Sequence, residues 1–350
     1  MKTLVVSEKG ELSVVEVAKP AYGKCQALVK MKSCGVCNGT DTKLIHGNFK
    51  NFDTYPAILG HEGVGEVVET GDAVTSLRKG DLVLLPFIEG DLDGYASGWG
   101  AYSEYAVVGD RDAYVKNGMG PGTPEWSDSY FAQTIMKPED KVNPVQASMI
   151  ITFREVLSAI RRFGFRENES VLIYGAGPVG LCFTKFTKLL GMKTVITTDI
   201  CDDKVATAKK MGADYAFNST TCDVNAEVKK LFPEGIDYVV DAVGINAFIN
   251  PSLALIKNNG KMCCYGISPK LGMELDWSQA PYNWQLQFVQ WPSKEEEGLA
   301  HSQIMAWINQ GVLAPDDFIS DVFSFDHIMD AFALLAERKA ETKKIVISYD

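Results

Sequence analysis

Residues 171–183 read VLIYGAGPVGLCF, and this stretch decides the fold. An apolar run at 171–174 feeds Gly175, Ala176, Gly177, Pro178, Val179 and Gly180, and a helical apolar pattern follows. G-x-G-x-x-G between a strand and a helix has a mechanical meaning. Gly175 permits the tight turn, Gly177 lets backbone approach a pyrophosphate, and Gly180 lets the helix pack close to the strand. With Pro178 and Val179 they form a loop that leads into a helix N-terminus, whose free N–H groups and positive dipole end suit phosphates. A second strand, 194–198, ends at Asp199, 19 residues after Gly180. A carboxylate there accepts hydrogen bonds from a ribose 2′-hydroxyl and repels a 2′-phosphate. Asp202 and Asp203 follow with no Arg between them, which predicts NAD rather than NADP. Taken singly, the glycines fit an ordinary turn and Asp199 a solvated strand end. Taken together they predict a dinucleotide site.

Working outward, strands at 171–174, 194–198, 216–217, 238–240 and 261–265 alternate with helices at 178–190, 202–211, 223–231 and 247–257. Such alternation predicts a parallel sheet covered on both faces. A helical pattern at 146–163 leads into it. Residues 1–110 read instead as all-β, with short β-branched runs at 3–6, 12–17, 27–32, 64–69, 82–85 and 103–108 separated by Gly, Pro and Asp. That pattern predicts a barrel-like or sandwich-like domain. Residues 88–100 and much of 116–145 read as long loops. Helices at 294–310 and 326–338 and a strand at 344–348 follow the alternating region. The predicted fold class is α/β: a doubly wound parallel-sheet domain plus a β-rich domain.

The chain has 350 residues, which suggests two domains. Its net charge is −11, with 34 Lys and Arg against 45 Asp and Glu. This balance argues against nucleic acid and anionic lipid as partners, because both require clustered Lys and Arg. No apolar run is long enough for a membrane span, and the apolar run at the start is too short for a secretory segment. The expected compartment is the cytoplasm. Eight cysteines in a chain of this size do not form a disulfide scaffold.

Two stretches of the β-rich half suggest a metal. CGVCNGTD spans 34–41 and GHEGVGE spans 60–66. Zinc takes Cys sulfur, His nitrogen and carboxylate oxygen, and a catalytic site keeps one position open. Cys37, His61 and a carboxylate satisfy that. Competing readings are a Cys34/Cys37 redox pair and, for His61, a core histidine without metal. A four-cysteine structural zinc lacks cysteines, since none occurs between Cys37 and Cys182.

With these motifs in place, the chain resembles the zinc-dependent medium-chain alcohol and polyol dehydrogenases, close to sorbitol dehydrogenases, over essentially its whole length. The resemblance rests on CGVC-x₃-D at 34–41, GHEGVGEVVETG at 60–71, YGAGPVG at 174–180, Asp199, Asp241-Ala242-Val243-Gly244, and the closing strand Lys344–Ser348. It implies a GroES-like catalytic domain, 1–150 and 293–350, around a Rossmann domain, 151–292. Zinc, nicotinamide and substrate would meet in the cleft between them. Cys37 and His61 match zinc ligands, Glu62 a carboxylate beside the metal, Thr40 the hydroxyl that relays the substrate proton, and Asp41 a residue behind the ligands. Val243 and Gly266 join the cofactor-binding residues. The segment after Cys37 is one residue longer than the family pattern. Residues 86–115 hold no cysteine, so one catalytic zinc and no structural zinc is expected. At the family's further ligand position stands Ile151, with Glu155 one turn later on the same face as a candidate ligand or junction ion pair. Glu89, Asp91, Asp93, Tyr95, Trp99 and Tyr102, with Tyr282, Asn283, Trp284 and Trp291 after the last predicted sheet strand, suit a polyhydroxylated substrate. The implied reaction is hydride transfer between NAD and a secondary alcohol, best a polyol, sugar alcohol or cyclitol, in a homodimer or homotetramer. The alternatives are a dehydrogenase of simple or hydrophobic alcohols, a zinc-free NAD(P)H enone or quinone reductase, and a non-catalytic NAD-binding protein.

Overall fold

The computed structural model describes residues 1–337, 339 and 341–349. The chain forms two compact units, Met1–Arg154 with Ser293–Asp350, and Glu155–Pro292. The last residue of the helix predicted at 326–338 lies outside the described residues, and the helix observed there is Ile328–Glu337.

In the second unit six parallel strands order as Tyr215–Asn218, Thr194–Asp199, Ser170–Tyr174, Ile236–Asp241, Ile256–Cys264 and Trp284–Phe288. The direction of winding reverses between Ser170–Tyr174 and Ile236–Asp241, the place where doubly wound sheets open a crevice at their carboxyl ends. Val171, Leu172 and Ile173 are fully buried. Covered on both faces, such side chains contribute roughly 1.5–3 kcal/mol each. Helix starts follow local chemistry: Asp223 accepts the Ala226 N–H at the start of Val224–Leu231, a cap worth about 1 kcal/mol.

Two expectations need correction here. The helix predicted at 247–257 is only Ile249–Leu253 after a short 3₁₀ turn, and the next strand begins at Ile256. Pairing of Ile256 with Ile236 draws the end of that apolar run into the sheet. A sixth strand, Trp284–Phe288, stands where only loop aromatics were expected. Its partner Ile256–Cys264 supplies a neighbour that WQLQF cannot announce alone.

The first unit has a seven-stranded sheet. Its main path is Ile319–Ser324, Lys344–Ser348, Gln26–Val36, Glu62–Thr70, Leu82–Leu84 and Thr134–Ile135, and Tyr105–Gly109 also pairs Gln26–Val36. A four-stranded sheet adds Leu12–Glu16, Lys2–Val6, Ala57–Ile58 and Ala96–Ser97. Leu4, Val6, Met31, Leu44, Ile58 and Tyr102 form the middle of its core. The helix Lys294–Asn309 starts in a capping box between Ser293 and Glu296. Among the described residues, no helix is long and apolar enough to cross a membrane.

Candidate metal and cofactor sites

The metal candidates meet because of strand register. Gly35, near the end of Gln26–Val36, pairs with Glu62, the first residue of Glu62–Thr70. The residues just beyond each strand, Cys37 and His61, are thereby brought together. Ligand atoms of Cys37, His61 and Glu62 all lie within 4.8 Å of one another. These three candidate ligands stand together in the first unit, and Glu155 is the first residue of the second. The extra residue after Cys37 is absorbed into a helical first turn. Cys37 occupies the N-cap of Asn38–Ile45, the Asp41 N–H donates to the Cys37 carbonyl at 2.9 Å, and the Cys37 N–H donates to Asp41 Oδ2 at 2.9 Å. Thr40 lies in that turn, buried. Cys34 is fully buried within its strand and its thiol is pushed up by burial, so it is no partner for redox exchange.

The surroundings of His61 are anionic. Asp41 is wholly buried, accepts the Tyr102 hydroxyl at 2.6 Å, and holds Oδ1 3.6 Å from His61 Nδ1. His61 Nε2 lies 4.0 Å from Glu62 Oε1 on the other side of the ring. Burial opposes charge on His61, but Asp41 and Cys37 outweigh it and raise its pKa well above the usual histidine value. A pocket that holds a proton on a buried imidazole favours a cation, and a metal displaces that proton. Thiolate, imidazole and carboxylate, with an aspartate behind the imidazole, fit zinc.

Glu62 is also held from behind. Lys344 Nζ donates to both its oxygens, at 2.8 and 2.6 Å, and the Thr152 hydroxyl donates at 3.2 Å. Its carboxylate rests on Gly35, where a Cβ would come within 2.3 Å of Oε2. Sequence reasoning missed the roles of Lys344, Thr152 and the Tyr102 hydroxyl. The one available signal was a lysine opening the otherwise apolar strand KIVIS.

The loop residues assigned to a substrate wall divide. Glu89 accepts hydrogen bonds from Gln26 and Tyr130, and Asp93 from the Ala18 N–H. Tyr95 packs against the core, and Tyr102 lies inside it. Trp99 lies against a gathered ligand, its ring centroid 5.5 Å from that of His61. In the second unit Tyr282 is fully exposed and Trp284 lies in the last strand of the sheet.

The dinucleotide residues also converge. Gly175 has φ +96°, a conformation open to glycine. A Cβ on Gly180 would lie 1.9 Å from the Gly175 carbonyl oxygen, so helix and turn touch there. A Cβ on Gly177 would meet no protein atom within 4 Å. Protein packing does not require that glycine, whereas close approach of a ligand does. Pro178 and Val179 form the first turn of Pro178–Leu189. Asp199 Oδ2 accepts the Ala176 N–H at 2.8 Å, while Oδ1 accepts Ile200 and Cys201 N–H groups at 2.8 and 3.1 Å. These bonds fix a carboxylate beside the glycine turn. Asp241, the first residue of the Asp241–Gly244 motif, accepts N–H groups of Val243, Gly244 and Ile245 at 2.8–2.9 Å and so shapes the neighbouring loop. Val243 is half exposed there, and a Cβ on Gly266 would strike the Gly244 nitrogen at 2.0 Å.

Residues 23–117 match the alcohol dehydrogenase GroES-like domain, and residues 178–289 match the zinc-binding dehydrogenase family. An alcohol dehydrogenase of Cupriavidus necator is 30% identical over 292 residues, 76% of each chain. A sorbitol dehydrogenase of Gallus gallus is 27% identical over 282 residues, covering 77% of this chain and 76% of its own. The crystal structure of 2R,3R-butanediol dehydrogenase from Bacillus subtilis superposes with a TM-score of 0.80 at 18% identity, covering 100% of this chain and 99% of that one, and so shares the fold. With the gathered metal donors and the glycine turn, these matches place the chain in the zinc-type medium-chain alcohol dehydrogenase superfamily.

Proposed function

We propose that the chain transfers hydride between NAD(H) and a secondary alcohol or its ketone, with a polyol, sugar alcohol or cyclitol as substrate and one catalytic zinc per chain. The observation that carries this reading is the gathering of Cys37, His61 and Glu62 within 4.8 Å, with a buried aspartate behind the imidazole. Cys37 and His61 would hold the metal, and Glu62 would complete the shell in competition with Lys344. Zinc supplies Lewis acidity that lowers the pKa of a substrate hydroxyl or, in reverse, polarises a carbonyl. Thr40 takes the substrate proton and passes it toward solvent. Asp41 and Tyr102 hold the His61 ring in the orientation that a ligand needs. In the second unit, Asp199 would accept hydrogen bonds from the ribose hydroxyls, the N-terminus of Pro178–Leu189 would bind the pyrophosphate, and Val243 would offer an apolar contact to the cofactor.

The polyol assignment is supported by the absence of cysteine at 86–115 and by likeness to a relative named sorbitol dehydrogenase. A homo-oligomer is supported by the last sheet strand, Trp284–Phe288, beside exposed Phe288 and Tyr282. The test is absorbance at 340 nm with zinc-replete protein, NAD⁺ or NADP⁺, and linear polyols, inositols, aldoses, simple alcohols and threonine. Oxidation of polyols or sugars with NAD⁺ is expected. Oxidation of simple alcohols alone would move the substrate to the alcohol group, and no oxidation of any member would overturn the assignment.

A further inference from the structure

Lys43 is a cation beside the metal donors that the proposed chemistry does not use. It lies on the helix Asn38–Ile45, one turn after Thr40, and is half-buried. Its side chain folds back toward the start of that helix, where Nζ donates to the Gly39 carbonyl at 2.8 Å. An ammonium has three donors, and among the described residues the Gly39 carbonyl is its one hydrogen-bond partner. Burial lowers its pKa from the usual lysine value, and among the described residues the charge that opposes this is the Cys37 thiolate, not a carboxylate. Asp41, the nearest carboxylate in sequence, is turned inward to the Cys37 N–H and the Tyr102 hydroxyl. Residues 42–52 hold Lys43, His46 and Lys50 and no carboxylate, although the chain carries −11 overall.

Gly39 supplies room at the same place. It lies exposed in the first turn of the helix, and its backbone is helical, so no left-handed conformation calls for glycine there. Glycine weakens a helix relative to alanine. Beyond the helix's own backbone, a Cβ on Gly39 would meet one atom within 4 Å, Cys37 Sγ at 4.0 Å. Packing therefore does not require the glycine, and its open face borders the sulfur of a metal donor. One helical turn thus joins a metal-binding thiolate, an open face and a cation with spare donors. A bound metal and the ammonium repel each other, the more so where burial thins the screening water. An anionic group seated on the open face relieves that repulsion and takes charge-assisted hydrogen bonds from Nζ.

We propose that Lys43 and the open face of Gly39 form a subsite for an anionic group of the substrate, so that the alcohol oxidised beside Cys37 belongs to a polyol that also carries a carboxylate or a phosphate. The proposal rests on the dehydrogenase reading above and narrows its substrate from neutral polyols to anionic ones. A neutral hydroxyl takes a hydrogen bond from Nζ but leaves the charge uncompensated, whereas a carboxylate or phosphate oxygen supplies both.

The test compares wild type, Lys43→Met, Lys43→Arg and Gly39→Ala on gluconate, galactonate and sorbitol 6-phosphate against sorbitol and galactitol. Zinc content, NADH affinity and thermal midpoint are measured for each protein. Wild type should favour an anionic polyol over its neutral counterpart in kcat/KM by about tenfold or more, and Lys43→Met should erase that preference, mainly through KM. Lys43→Arg should keep it. Gly39→Ala should reduce it while melting no lower than wild type, because alanine suits the helix and its methyl fills only the open face. The preferred anionic polyol should raise the midpoint of wild type more than that of Lys43→Met, and zinc content should hold in both. Preference for the acids assigns the subsite to a carboxylate, and preference for the phosphate ester assigns it to a phosphate. The proposal is overturned if wild type oxidises neutral polyols as well as anionic ones, if Lys43→Met lowers both alike, or if it weakens NADH binding and leaves the ratio unmoved. A wild type inactive on every member, simple alcohols included, removes the reading beneath the proposal, and the proposal falls with it.

Discussion

Lys344→Met should be among the most damaging single substitutions in the first unit, although the sequence marks Lys344 only as the first residue of the closing strand. Its ammonium donates to both oxygens of Glu62, and the two side chains are 4% and 1% exposed. Removing the lysine leaves a buried carboxylate with only the Thr152 hydroxyl at 3.2 Å as a remaining side-chain donor among the contacts described. Breaking one partner of a buried pair costs about 3–5 kcal/mol, and one neutral hydrogen bond offsets only about 1 kcal/mol. For a unit of this size the net loss of about 2–4 kcal/mol corresponds to a fall of roughly 4–16 °C in melting temperature. The assay is urea unfolding in a chelator, so that metal does not compensate the freed carboxylate, for wild type, Lys344→Met, Glu62→Gln and the double variant. The double variant should recover much of the loss, with a coupling of about 2 kcal/mol or more. A single Lys344→Met variant within about 1 kcal/mol of wild type would refute the reasoning, since surface pairs are worth no more than that.

Three further outcomes are expected. Tyr102→Phe removes the donor to buried Asp41 and should weaken zinc binding about 10–100-fold in chelator competition; unchanged affinity would mean that Asp41 holds His61 unaided. Gly180→Ala and Gly177→Ala should separate packing from ligand approach: only the first drives a Cβ into the turn, so only it should lower the melting temperature, while both should weaken NADH binding at least about tenfold. His301, on Lys294–Asn309, is held down to about 4 by burial and then by the charge of Arg154. The unfolded chain takes up that proton near 6.5 and the folded chain does not, so stability present above pH 6.5 is lost as pH falls toward 4, by about 3 kcal/mol in all. His301→Gln should lose less stability than wild type between pH 7 and 4.5 in urea titrations, and equal losses would contradict this.

What the sequence made legible was local. Gly175, Gly177, Gly180 and Asp199 stand in one strand–turn–helix–strand run, so their spacing alone carries their geometry. Cys37 and His61 were legible because few residue types bind zinc and each lies beside a strand end. The supports of these residues were not legible. Lys344 meets Glu62 across 282 positions, and the Tyr102 hydroxyl meets Asp41 across 61. Such contacts depend on sheet register, which no local pattern encodes. The strand Trp284–Phe288 escaped notice for the same reason, because its apolar alternation is weak and its identity comes from pairing with Ile256–Cys264. Loop polarity misled in a different way. Glu89 and Asp93 look available in sequence, yet the fold uses both for its own hydrogen bonds, and the residue left beside His61 is an aromatic one.

The central claim is that Cys37 and His61 hold one zinc on which alcohol oxidation depends, separately from the dinucleotide site. Its most direct test is metal content per chain, NADH binding by fluorescence, and alcohol-dependent NAD⁺ reduction, measured together on wild type and Cys37→Ser. The account predicts one zinc per wild-type chain, none in the variant, NADH binding in both, and turnover in the wild type alone. A Cys37→Ser protein that keeps its zinc and turns over near the wild-type rate would contradict it.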